Sequence, residues 1–142
     1  MLDRNDIERC LPHAGAMVLL DAVSHWDAAS IQCSSAPLGA GHPLSRDGQV
    51  SAIAAVEYAA QATAVHGALL DGQAVARAGV LAKLAECDLL ADGLAAGAGP
   101  IEVRAGLLSR GDAGCLYEFS VSCGQPVVRG RLMVAFPPRE PT

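Results

Sequence analysis

No run of lysines or arginines interrupts the 142 residues, and ten basic against fifteen acidic side chains leave a formal charge of −5. A duplex-binding face is therefore missing, which excludes nucleic acid as a partner. The cysteines, at 10, 33, 87, 115 and 123, form an odd set without a C-x-x-C pair. That pattern fits neither a disulfide framework nor a zinc site, and a reducing cytoplasmic location is the expectation. The amino terminus, MLDRNDIERC, alternates charges where a signal peptide would carry a basic start and an apolar stretch, so no export signal is read there. Nucleophile elbows, phosphate-binding loops and dinucleotide fingerprints are missing too: there is no G-x-S-x-G, no G-x-x-x-x-G-K and no G-x-G-x-x-G.

What the chain does have is apolar substance, 51% of its residues against 18% charged, which fits one compact domain over 1–142 and excludes intrinsic disorder. A domain of this size buries roughly two thirds of its unfolded surface, enough for a core without disulfide or metal staples. Residues 48–70 carry Glu57 as their only charge. Alanine dominates this stretch, and Gln61 and His66 add polar cost, so it reads as a buried helix and no membrane is implied.

Along the chain, residues 6–10 suit a short helix ended by Leu11 and Pro12, followed by a turn at Ala14 and Gly15. Residues 17–26 read as a strand and 30–36 as its hairpin partner across Asp27, Ala28 and Ala29, with Pro37, Gly39 and Gly41 ending the pair. Residues 50–70 form the long helical candidate, about 30 Å at 1.5 Å per residue, opened by Asp47, Gly48 or Ser51. Its faces are almost all apolar, so something must wrap it. Strands are expected over 79–89, 101–109, 115–123 and 127–136, with 91–100, 110–114 and 124–126 as turns or loops. In the third, Cys115, Tyr117, Phe119, Val121 and Cys123 alternate with polar residues; in the fourth, Val128, Leu132, Val134 and Phe136 oppose Arg129 and Arg131. The order strand, strand, helix, four strands implies an α+β fold in which one antiparallel sheet of five to seven strands curls round a central helix.

Glu57 and Gln61 stand at i, i+4 on that helix and are neighbours in space. Two readings of Glu57 stand side by side: a carboxyl whose pKa is raised by apolar surroundings, as general acids require, or a side chain reaching solvent through a gap in the sheet. His42 sits between Gly41 and Pro43 in the loop feeding the helix; it is either an ordinary surface histidine or a partner for Glu57. His13 and His25 read as turn and strand residues, His66 as a satisfied core or helix-end group, and Cys115 and Cys123 as small hydrophobes.

Four stretches together, Leu11-Pro12-His13, Leu19-Leu20-Asp21-Ala22-Val23, Gly41-His42-Pro43 and Glu57-Tyr58-Ala59-Ala60-Gln61, resemble the β-hydroxyacyl-acyl-carrier-protein dehydratases of the hotdog fold. Residues 42–70 look closest to a divergent dehydratase-like group associated with aryl-polyene or xanthomonadin-type pigments. The resemblance implies a long helix wrapped by a sheet, a homodimer or higher even oligomer, and a histidine and a carboxylate facing each other across the subunit interface. By position it implies His42 and Glu57 as catalytic residues, with Gln61, the glutamine one turn on, and Ala52 as substrate-binding residues. Two departures stand out. The phenylalanine after the histidine is missing, and Ser51-Ala52 replaces a Pro-Gly step whose glycine N–H polarises the substrate carbonyl.

The activity implied is loss of water from a 3-hydroxyacyl thioester, giving the trans-2-enoyl thioester, with His42 as base, Glu57 as acid and the backbone near Ala52 as oxyanion donor. Substrate would arrive on acyl carrier protein or coenzyme A, and no metal or redox cofactor is implied. Rival expectations are a hotdog thioesterase, in which the same carboxylate activates water, and a noncatalytic subunit pairing with an active homologue. Arg104, Arg129 and Arg131 lie on strands where they could form a local basic patch for an acidic carrier.

Overall fold

The computed structural model describes residues 2–11, 18–38, 42–72, 81–95 and 99–135. His13, the Ala14-Gly15 turn, Gly41 and Phe136 lie outside them. The chain order is α1 (Arg4–Cys10), β1 (Ala22–Trp26), β2 (Ser30–Ser35), β3 (Gln49–Ser51), α2 (Val56–Leu70), β4 (Leu81–Leu89), β5 (Gly93–Ala95), β6 (Ile101–Arg110), β7 (Gly114–Ser122) and β8 (Pro126–Ala135). Six strands form one sheet in the order β1-β2-β6-β7-β8-β4, every neighbouring pair antiparallel. Helix α2 packs on β2, β6 and β7, with α1 against it. This is the antiparallel sheet around a central helix that the order of elements implied.

The alternation read in the sequence holds where strands face the helix. Cys115, Tyr117, Phe119 and Val121 on β7 are buried, as are Ile101, Val103 and Ala105 on β6 and Val128, Leu132 and Val134 on β8. The opposite face carries Glu102, Arg104, Glu118, Arg129 and Arg131. Asp27 shapes the β1–β2 connection: its Oδ1 accepts from the N–H groups of Ala29 and Ser30, both at 2.8 Å, and these bonds hold its carboxyl below the usual range.

The long helix is shorter than expected, because it begins at Val56 and not at residue 50. Asp47 and Gly48 both have positive φ, 54° and 77°, between the paired residues Arg46 and Gln49. They are the two residues of a tight turn, not a helix cap, and an Asp-Gly pair is the sequence signature of such a turn. The chain then extends as β3 and pairs with β5, a strand inside the stretch expected to be loop. Gly93 opposes Ser51 there, and a Cβ on it would lie 2.1 Å from the Val50 carbonyl oxygen. Residues 52–55 turn the chain into α2.

His66 on α2 is completely buried and satisfied at both ring nitrogens. Nε2–H donates to the Asp27 carbonyl at 2.8 Å, and in the neutral ring that burial favours Nδ1 accepts from the Tyr117 hydroxyl at 2.6 Å. The core reading of His66 is the one the structure bears out. Burial lowers its pKa against smaller opposing effects of the Asp27 carbonyl and carboxylate, and Arg110 adds the smallest effect, a further lowering. A depressed folded-state pKa means that the associated stability is complete above 6.5, the ordinary value, and is lost as pH falls below it. Urea unfolding at fixed protein concentration should therefore show stability declining from pH 7.5 to pH 5.5. The decline should be shallower in His66→Gln, and equal slopes would remove His66 as a source.

Candidate active site

The loop before the helix places His42. Pro43 presets the backbone for a turn, and the Ser45 N–H closes it on the His42 carbonyl at 3.0 Å. The same turn brings the Leu44 N–H onto the ring, 3.1 Å from Nδ1. Nε2 reaches the hydroxyl of Tyr58 at 2.9 Å, with the two rings stacked 15° from parallel and their centroids 6.0 Å apart. A histidine 16 residues upstream of Tyr58 thus rests on the first turn of α2. Partial burial lowers its pKa, so the imidazole is neutral at pH 7.

Glu57 is the neighbour of Tyr58 in sequence, turned about 100° from it round the helix. It lies with Ala60, Ala64 and Gly67 on a stripe that this chain leaves partly exposed, while Tyr58, Ala62, Val65 and His66 are buried. Neither sequence reading of Glu57 describes this place: it is neither enclosed in the core nor led out through the sheet. Gln61 orients it, donating from Nε2 to Glu57 Oε1 at a long 3.4 Å. The other end of that amide, Oε1, accepts from the Leu19 N–H at 2.9 Å, and the Leu19 carbonyl accepts from the Ser35 hydroxyl at 2.8 Å. The Leu19-Leu20-Asp21 motif is therefore tied to the helix by Gln61.

Two expected site residues have their polar groups engaged within this chain. Gln61, placed with substrate by the resemblance, is 1% exposed and spends its amide on Leu19 and Glu57, so in this chain it orients the carboxylate. Ala52, expected to supply the oxyanion donor, donates its N–H to the Asp92 carbonyl at 2.9 Å, extending the β3–β5 pairing by one residue. The next donor along, the Ile53 N–H, has no acceptor among the described residues. A groove of about 390 Å³ beside this helix start is lined by Ser51, Ala52, Ile53, Leu89, Leu90 and Asp92.

Tyr58 was quoted in the sequence motif without a role. The signal that could have found it is its place beside Glu57 in an otherwise small-residue helix. Elsewhere, His25 is exposed on β1, paired at 3.7 Å with Asp27, and all five cysteines are free thiols. Arg104, Arg129 and Arg131 do share the outer sheet face and line a groove of about 610 Å³. It is not a basic patch, because Arg129 pairs with Asp88 at 3.5 Å, Arg131 with Glu86 at 3.6 Å, and Glu118 lies among them. This open groove is on the face away from α2, so the site is taken from the His42 and Glu57 geometry. Among the described residues no cluster of three His, Cys, Asp or Glu is placed to hold a metal ion, and no helix is long and apolar enough to cross a membrane.

Replacing Gln61 by Leu would strand the buried Leu19 N–H and release Glu57. The expected cost is about 1–3 kcal/mol of folding stability, read by urea denaturation. A variant as stable as the parent would show that the Leu19 tie is not needed.

Similarity to known proteins agrees with the fold. The dehydratase heterocomplex ApeI:P from Xenorhabdus doucetiae is similar in fold, with a TM-score of 0.76 and 24% identity over 94% of this chain and 92% of that one. A mutant thioesterase from Staphylococcus aureus shares the fold at a TM-score of 0.59 and 15% identity, over 82% and 93% of the two chains. No curated protein matches the chain. The model of the ApeP-like family, described as ApeP dehydratase, matches residues 5–142. With the hotdog architecture in place and nearly its whole length matched, the chain belongs to the ApeP-like family of dehydratases.

Proposed function

We propose that this dehydratase removes water from a 3-hydroxyacyl thioester carried on acyl carrier protein or coenzyme A, in the building of a polyene or fatty acyl chain, with His42 and Glu57 as its acid–base pair. The carrying observation is the hydrogen bond from His42 to Tyr58, which brings the loop histidine to the helix turn that bears Glu57. The reaction needs one group to take the Cα proton and another to protonate the departing hydroxyl. A neutral imidazole and a carboxyl held by Gln61 supply these functions, His42 as base and Glu57 as acid. As enolate charge builds on the thioester oxygen, the donor left at the helix start is the Ile53 N–H, near the positive end of the helix dipole.

Within one chain the two groups do not engage each other: His42 leans on Tyr58, and Glu57 faces the partly exposed stripe with Ala60, Ala64 and Gly67. The active unit is accordingly a pair of hotdog chains, with the histidine of one facing the carboxylate of the other. The partner is a second copy or a different hotdog subunit. The solved relative, itself a heterocomplex, supports the second possibility. A cytoplasmic setting, where acyl carriers reside, completes the proposal.

His42→Ala and Glu57→Gln should each lower turnover of a 3-hydroxyacyl thioester by at least about a hundredfold. The double variant should be scarcely worse than either single one, because both groups serve one transition state. Thiol release is followed in parallel: thiol release without water loss would favour a thioesterase. If the chain alone is inactive but gains activity with a co-expressed hotdog subunit, the site is shared with a different partner. Full water loss by His42→Ala would remove that residue from the mechanism.

A further inference from the structure

The hydrogen bonds around His42 determine which ring nitrogen holds its proton. A backbone N–H can only donate, so the Leu44 N–H, 3.1 Å away, requires an unprotonated Nδ1. The neutral ring must then carry its proton on Nε2 and donate it to the Tyr58 hydroxyl oxygen at 2.9 Å. At rest, therefore, neither nitrogen presents a free lone pair. To take a proton at Nε2, the ring must first hold one on Nδ1 and let go of the Leu44 N–H. A tyrosine hydroxyl can follow both states, accepting from Nε2–H in one and donating to a bare Nε2 in the other.

We propose that Tyr58 is the positioning residue of His42: the Leu44 N–H selects the Nε2–H tautomer, and the Tyr58 hydroxyl accepts that proton and holds the imidazole at the helix turn. This rests on the reading of His42 as a member of the acid–base pair.

Three further observations agree with it. Tyr58 is only 1% exposed, so it acts through His42 and not on substrate. Its hydroxyl stays protonated, burial and the nearby carboxylate of Asp21 pushing its pKa up to about 12. The two rings lie nearly parallel, 15° apart, so the phenol also fixes the orientation of the imidazole. Asp21 is the charged group that bears on Tyr58. Its own Oδ1 pairs with Arg4 at 3.0 Å and its Oδ2 accepts from the Ala36 N–H at 2.7 Å. The lowered pKa of His42 has burial as its cause.

The test is Tyr58→Phe in the full chain, together with its native oligomer partner if one is required. Nitrogen-15 NMR of the parent should show His42 as the Nε2–H tautomer with a slowly exchanging, hydrogen-bonded Nε2–H, and the variant should keep the tautomer but exchange that proton faster. The imidazole pKa should fall further in the variant, because an acceptor on a retained N–H stabilises the cation more than the neutral ring. Turnover should drop about tenfold in kcat with KM little changed, as expected for a displaced catalytic group. An Nδ1–H tautomer in the parent, or an unmoved pKa and Nε2–H exchange rate in Tyr58→Phe, would overturn the proposal even if activity fell. The spectra need no turnover, so they stand apart from the acid–base assignment. If His42→Ala proves fully active, that assignment fails while the spectra of the parent and of Tyr58→Phe are still read. Should Tyr58→Phe fold poorly, the parent decides alone: rapid exchange of the His42 Nε2–H, as in a solvent-exposed imidazole, would overturn the proposal.

Discussion

The structure depends on one constraint: α2 is buried along most of its surface, so the polar side chains it carries toward the core must find partners inside the protein. Tyr58 meets His42, Gln61 ties Leu19, Thr63 donates to the Ala60 carbonyl at 2.8 Å, and His66 bridges Tyr117 to Asp27. A buried group left unpaired costs about 1–3 kcal/mol. Each bond therefore also fixes the position of a segment that packs on the helix. His66 anchors the β1–β2 turn and β7, and Gln61 anchors the chain entering β1. Tyr58 anchors the loop that carries the histidine.

The site grows out of that arrangement at the amino-terminal end of α2. The helix offers two adjacent residues at different angles, one turned inward to hold His42 and one, Glu57, turned toward the partly exposed stripe. The core thus sets the histidine, while the carboxylate, held by Gln61, sits on the partly exposed stripe. This division lets a buried helix carry a carboxylate without enclosing it in apolar surroundings.

Near the start of α2 the chain departs from the pattern its motifs resemble. The Ala52 N–H, where the resemblance puts a glycine donor, is spent on the Asp92 carbonyl, and this follows from β3 pairing with β5. That pairing needs Gly93, since no side chain fits against the Val50 carbonyl. The small two-stranded sheet thus decides which backbone N–H groups at the helix start are engaged: that of Ala52 is, and that of Ile53 has no acceptor among the described residues.

Periodicity alone determined the six strands of the large sheet and the type of the long helix, but not β3 and β5. Alternation in β7 and β8 survives in the structure because a sheet with one wet face enforces it at every second residue. The motif residues His42 and Glu57 were legible because their spacing from Gly41, Pro43 and Gln61 is local. The start of α2 was misread, since Asp47-Gly48 can open a helix or close a hairpin, and only the distant strand β5 decides for the hairpin. The roles of Gln61 and Tyr58 were invisible for the same reason: their partners, Leu19 and His42, are 42 and 16 residues away. Composition and spacing fix which groups a helix offers, but which of them become struts and which remain reactive is settled by what the rest of the chain packs against them.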